Sequence, residues 1–215
     1  MFWLLYLPHL IADYPLQTDR IVQLKRTWNG LFVHVGVHLL VVLAFTWGHW
    51  KAVFPYVFGL VVIHYGIDTF KNFLRVRRPK WVIGPYFFDQ ALHLLSILLI
   101  AGWIDAGQPG RLPVVGTWMV YASGYLLATH IWFITERILF HLEPEYVTEV
   151  TAKHWPRMAV RGMMLTVILL VAQAVSAAVS FALVIPYVSG SYRRRVFWID
   201  LTVALACGVF ILWAR

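Results

Sequence analysis

Four pairs of ionisable residues stand four positions apart in the first half of the chain. They are His9 and Asp13 in HLIAD, His34 and His38 in HVGVH, His64 and Asp68 in HYGID, and Asp89 and His93 in DQALH. A spacing of four places both members on one helical face, one turn apart, so each pair can aim two ligands at a single point. Imidazole and carboxylate together suit zinc, iron, manganese or cobalt, and a chain whose one cysteine is Cys207 cannot build a site of several thiolates. Eight ligands exceed the needs of one four- or five-coordinate ion. They form a natural set for two ions, with a carboxylate such as Asp68 or Asp89 as the bridge. Two metals about 3.5–4 Å apart can activate water and stabilise a leaving oxygen. The expected chemistry is therefore metal-dependent hydrolysis at one or two divalent transition metals, zinc first, with iron or manganese as alternatives. His9, Asp13, His34, His38, His64, Asp68, Asp89 and His93 are the expected ligands, and Asp68, Asp89 and Lys71 the expected catalytic residues.

These pairs belong to an internal repeat. Sliding the chain by 55 residues lays His9 on His64, Asp13 on Asp68, His34 on Asp89 and His38 on His93, without a gap. Arg20 then falls on Arg75, Lys25 on Lys80 and Phe32 on Phe87. Matched His, Asp, Lys and Arg are rare in an apolar chain, so the alignment reads as a duplication of a helical hairpin. The copies cover about 1–48 and 56–103 within a core of 1–105, and 106–215 supply additional transmembrane helices.

The solvent around these hairpins follows from composition. Apolar residues make up 60% of the 215 positions and charged residues 13%, too little polar surface to cover a water-soluble domain. Nearly uncharged runs recur at about 30–50, 52–70, 86–104, 112–135, 162–188 and 196–214, and a span needs roughly 20 apolar residues. The segment 2–17 adds a short helix and has neither a basic leader nor a small-residue cleavage site, so a retained helix is expected there. The fold class expected is an all-α polytopic membrane bundle of six to seven transmembrane helices, with a duplicated helical-hairpin core.

The net charge of +8 reads as topology and not as a nucleic-acid footprint. Basic residues crowd 20–26, 71–80 and 137–161, whereas the alternate loops hold only Lys51 and Arg111. Positive loops stay in the cytoplasm, which places the N-terminus in the periplasm. Arg193, Arg194 and Arg195 disagree with that alternation unless 162–195 is tilted, kinked or re-entrant. Trp47, Trp50, Tyr56, Trp81, Tyr86, Trp103 and Trp118 fall near span ends, as interfacial aromatic residues do.

On this topology the eight ligands form two layers in the cytoplasmic half of the bundle. An ionisable residue in a span costs about 2.5–3.5 kcal/mol on insertion scales. Three aspartates and five histidines must then face inward and satisfy one another, a metal or water. Lys25, Lys71, Arg75, Arg77, Arg78 and Lys80 lie over this layer, where cations suit a phosphate headgroup. Gln17 and Gln90 are placed to orient ligands. His130 and Glu136 could complete the site or make bundle contacts, and His49, His141 and His154 receive no role.

The run HLIADYPLQTD, a following lysine, and then HVGVH, HYGIDTFK and FDQALH resembles an uncharacterised family of small bacterial and phage inner-membrane proteins, classed as a domain of unknown function. The resemblance covers roughly 1–105 and implies a bacterial inner membrane, without supplying a reaction. The expected function rests on the residues: hydrolysis of a lipid or lipid-linked phosphate at the cytoplasmic face, with the bilayer and that lipid as partners and no nucleic acid. Two alternatives stay open, a di-iron oxidoreductase acting on acyl chains and a divalent-metal or proton transporter. Oligomeric state is not legible.

Overall fold

A computed structural model describes residues 1–107, 116–172 and 194–215, and these residues are all-helical. The expected kink or re-entry at 162–195 falls mainly outside them, as do Arg111 and Arg193. They divide into two compact units, Met1–Met119 and Val120–Arg215.

The first unit contains α1 (Phe2–Asp13), α2 (Asp19–Leu24), α3 (Trp28–Phe45), α4 (Trp50–Arg77) and α5 (Ile83–Gly107). Helix α1 packs on α3, α3 on α4, α4 on α5, and α5 returns to α1, which closes a ring of four helices. Four helices of the described residues are long and apolar enough to cross a membrane: Trp28–Phe45, Trp47–Arg77, Ile83–Gly107 and Arg195–Ala214. A helix satisfies its own backbone polar groups, so these apolar runs can enter lipid only in that form. Helix α1, with 12 residues, rises about 18 Å and falls short of the ~30 Å hydrocarbon core. It is mostly enclosed by its neighbours instead, with Leu4, Leu5, Leu7, Pro8, His9, Leu10, Ala12 and Asp13 buried.

Helices α3, α4 and α5 each bury one stripe, and that stripe changes character along its length. On α4 it runs Val53, Val57, Leu60, His64, Asp68. On α5 it includes Ile104, Ile100, Ile97, His93 and Asp89, and on α3 it includes Val42, His38 and His34. The far ends interlock as an aliphatic core of Leu5, Val42, Val53, Val57, Leu60, Ile97, Ile100, Ala101 and Ile104. The near ends are ionisable. The opposite faces carry exposed apolar side chains, among them Phe32, Leu40, Phe58, Val62, Leu95 and Leu99, which suits a lipid environment.

The connection from α1 to α3 is built rather than loose. Thr18 caps α2 by accepting from Ile21 N at 3.4 Å, and Thr27 caps α3 by accepting from Gly30 N at 3.1 Å. Asn72 on α4 donates to the Lys25 carbonyl at 2.7 Å and ties this connection to the α4–α5 side. The first turn of α3 passes so close to α2 that a Cβ on Gly30 would overlap the Leu24 carbonyl. Gly30→Ala is therefore expected to cost about 1–3 kcal/mol, as overpacking does. Thermal melting in detergent measures it, and an unchanged midpoint would contradict this close approach.

The second unit holds α6 (Trp118–Leu126, its first two residues in the first unit), a π-helical turn (Leu127–Ile131), α7 (Trp132–Leu139), α8 (Pro144–Ala152), α9 (His154–Ala172) and α10 (Arg194–Ala214). Helix α10 packs along α9, and both touch the π-turn.

Candidate metal centre

The ring of α1, α3, α4 and α5 brings all eight expected ligands into one cluster, and all eight are buried. The imidazoles of His9, His38, His64 and His93 crowd together, with ring centroids 4.0 Å apart for His38–His64 and 4.2 Å for His64–His93. His9 lies 5.1–5.3 Å from His38, His64 and His93. Because each pair is spaced by one turn, the carboxylates form a second layer beside these rings. Asp13 Oδ1 lies 3.1 Å from His34 Nε2 and 3.3 Å from His38 Nε2, and Asp13 Oδ2 is 3.4 Å from His9 Nε2. Asp68 Oδ2 lies 3.3 Å from His34 Nε2 and 3.5 Å from His64 Nε2. His34 and His64 face each other through their Nε2 atoms at 3.2 Å.

Such buried His/Asp groups could hold a metal ion. Two sets stand out: Asp13, His34, His38 and His64, and separately His64, Asp68 and His93, with the ligand atoms of each set within 4.8 Å of one another. Tetrahedral ligands on an ion at about 2.0–2.1 Å are roughly 3.3 Å apart, close to the separations around Asp13 and between His34 and His64.

The hydrogen bonds leave lone pairs in the cluster that a cation or a water could meet. His93 Nδ1 lies 2.9 Å from the Asp89 carbonyl, which can only accept. The proton is thereby fixed on Nδ1, and Nε2 is a bare lone pair. That atom is buried and has no partner. Around His34 Nε2 the acceptors Asp13 Oδ1 and Asp68 Oδ2 and the ring nitrogen of His64 compete for at most one proton. Lone pairs outnumber protons here, and an uncompensated buried polar group costs about 1–3 kcal/mol.

Two ammonium groups reach the cluster. Lys71 Nζ donates to Asp89 Oδ2 at 2.5 Å, and Gln90 Nε2 donates to the same oxygen at 3.0 Å. Tyr14 in turn donates to Gln90 Oε1 at 3.0 Å, so the amide is locked from both ends. Lys25 Nζ sits 3.0 Å from Asp68 Oδ2 and 3.8 Å from Asp13 Oδ1. Gln17, with its amide oxygen turned to Lys25, accepts from Nζ at 2.9 Å and donates to the Asp13 carbonyl at 3.1 Å. Gln17 thus touches Lys25 and the Asp13 backbone, and Gln90 the Asp89 carboxylate. Arg75, Arg77, Arg78 and Lys80 are exposed. Lys71 pairs with Asp89 on the next helix and not with Asp68 one turn away on its own, and the role of Tyr14 had no signal in spacing.

A cavity of about 20 Å³ lies between this layer and the aliphatic core, bordered by His9, His38, His64, His93 and Ser96 on its polar side. A volume of ~10–15 Å³ on this measure holds one water.

The second unit contains a different buried cluster, which loop-charge counting does not reveal. Arg157 donates through Nε and Nη2 to Asp200 at 3.2 and 2.7 Å, and through Nη2 to Glu136 at 2.9 Å. Arg161 donates to Asp200 at 2.9 Å and to the carbonyls of Ala128 and Thr129 at 2.6 and 3.2 Å. A π-turn offsets the regular backbone ladder, and here two of its carbonyls accept from a guanidinium. Arg157 and Arg161 are therefore paired interior charges, which removes them from the set of free loop cations. Glu136 belongs to this network, accepting also from Tyr146 at 2.6 Å, while His130 stacks edge-on near Trp155. Burial and the Glu136 carboxylate push the Tyr146 phenol above its ordinary range. At the surface, the fork from Arg195 holds the Glu143 carboxyl below its usual value.

Neither a curated protein nor a solved structure shows significant similarity to this chain. A family model does match, over residues 1–109, the stretch that carries all four helices of the ring and all eight clustered side chains. The chain belongs to the family described as Protein of unknown function (DUF3307).

Proposed function

We propose that this chain is a membrane-embedded, metal-dependent hydrolase of lipid or lipid-linked phosphates. The observation that carries the reading is the convergence of Asp13, His34, His38 and His64 within 4.8 Å, beside the unpartnered lone pair of His93. We further propose that the two hairpins are copies of one ancestral unit, that six to seven helices cross a bacterial inner membrane, and that the connections at 18–28 and 72–85 face the cytoplasm. A zinc ion, or iron or manganese in its place, would act as a Lewis acid and make water nucleophilic near neutral pH.

The protein's own groups supply the rest. His34, His38, His64 and His93 offer neutral nitrogen ligands, Asp13 and Asp68 offer anionic oxygen, and His9 holds Asp13 through its second oxygen. Lys71, anchored on Asp89, provides a positive charge where the phosphate of a headgroup would enter, and Asp89 can accept a proton as water is consumed. The apolar outer faces of α3, α4 and α5 keep such a substrate's tails in lipid while its headgroup reaches the ionisable end of the ring.

The di-iron reading draws support from the histidine-bordered cavity, whose other walls include Leu5, Val42, Val57 and Ile97. At about 20 Å³ that space suits a water-sized guest and not an acyl chain, which favours hydrolysis.

Protein purified in detergent without added metal is expected to retain a transition metal by elemental analysis and to release phosphate from a lipid phosphate monoester in mixed micelles. Chelation with phenanthroline is expected to reduce the rate at least tenfold, and zinc to restore it. Absence of bound metal in protein that remains folded would overturn the reading.

A further inference from the structure

We propose that this centre takes one divalent ion and that the Lys25 ammonium occupies the place of a second cation. The inference rests on the metal-site reading above and departs from the two ions that eight ligands suggest.

The ligand geometry comes first. The two candidate sets share His64. A neutral imidazole has one lone-pair nitrogen and so serves one ion, and His64 could join both sets only as a bridging anion. Asp13, His34, His38 and His64 alone make a full four-coordinate set. Once they are used, the other set retains only Asp68 and His93.

The ammonium groups come second. Lys25 lies on the connection between α2 and α3, yet its side chain turns into the cluster and is mostly covered, with 16% of it exposed. Its backbone is fixed by Asn72, and Nζ sits among Asp68 Oδ2 at 3.0 Å, Asp13 Oδ1 at 3.8 Å and Gln17 Oε1 at 2.9 Å. Those two carboxylates are the ones a second ion would have to share. The remaining carboxylate, Asp89, is bound by Lys71 and Gln90.

The charge balance agrees. Asp13, Asp68 and Asp89 contribute three negative charges, and Lys25 and Lys71 two positive ones. With the imidazoles as neutral ligands, one divalent ion turns a net −1 into +1, a charge that attracts an anionic headgroup. Two divalent ions would leave +3 in a low-dielectric interior, where each uncompensated charge is costly. Lysine at this position therefore supplies positive charge without needing ligands of its own.

The test is metal stoichiometry, using zinc alone as the probe. Detergent-purified full-length protein is stripped, reloaded with excess zinc, desalted and measured by elemental analysis per chain. Wild type is expected to hold one equivalent. Lys25→Met, which keeps the length of the side chain and removes its charge, is expected to rise toward two, and Lys25→Arg to stay at one. Two equivalents in wild type would overturn the proposal while leaving the metal-site reading standing. One equivalent in Lys25→Met would also overturn it, because the ammonium would then not be what excludes the second ion. No zinc in wild type removes the metal-site reading and this inference with it. Should Lys25→Met fail to fold, the wild-type and Lys25→Arg values decide, and two equivalents in either reject the proposal.

Discussion

His64→Ala is expected to strip the centre of its metal more completely than any other single ligand substitution. His64 is the member common to both candidate ligand sets, so its loss leaves three ligands in one set and two in the other. Its ring also packs on His38 and His93 at 4.0 and 4.2 Å. Removing the imidazole therefore loosens neighbours as well as deleting a donor. Metal affinity should fall at least 100-fold, and hydrolytic activity should disappear with it. His9→Ala gives the contrast. His9 meets Asp13 Oδ2 at 3.4 Å but belongs to neither set, so it acts by orienting a ligand, and a loss of about 10–100-fold in affinity is expected. Chelator-competition titrations of both variants measure the difference. Equal loss from the two would place His9 among the direct ligands and remove the special status of His64. Both variants should still insert, because neither changes the apolar faces of α1 or α4.

Asp200→Ala should produce the largest loss of stability, at a point unconnected with metal. Asp200 is fully buried and accepts from both Arg157 and Arg161. Deleting it leaves two buried guanidinium groups sharing Glu136 and the carbonyls of the π-turn. Removing one partner of a buried ion network costs about 3–5 kcal/mol, because the remaining charge stays desolvated. A thermal melt in detergent should show a marked fall in the midpoint, while bound metal per folded chain stays at the wild-type value. Asp200→Asn keeps the shape and one acceptor oxygen, which can still accept from both arginines, and should lose less. The surface pair of Arg195 and Glu143 provides the control. It is geometrically good but open to solvent, and Glu143→Gln should shift the midpoint little. If Asp200→Ala melts like wild type, the network is not a stabilising element.

Much of the centre was legible in the sequence because its information is local. Spacing by four is a property of one helix, so His9 with Asp13, or Asp89 with His93, share a face whatever surrounds them. The cost of ionisable groups in an apolar chain then forces those faces inward. The sequence by itself therefore determined that residues 1–105 are helical, that eight side chains must meet in an interior, and that the donor set suits a borderline metal. It could not determine partners across helices. Lys71 lies one turn beyond Asp68 on the same helix, yet the packing of α4 on α5 delivers its ammonium to Asp89. Lys25 reads as one cation among many in a basic loop, and only the closure of that loop against Asn72 turns it inward. Arg157 and Arg161 read as loop charges that set topology, until packing of α9 against α10 and the π-turn supplies Asp200 and two carbonyls. In each case the deciding quantity is a distance between segments far apart in the chain, set by how the helices pack. Local spacing fixes which ionisable groups share a face, and tertiary structure alone decides which cations they meet.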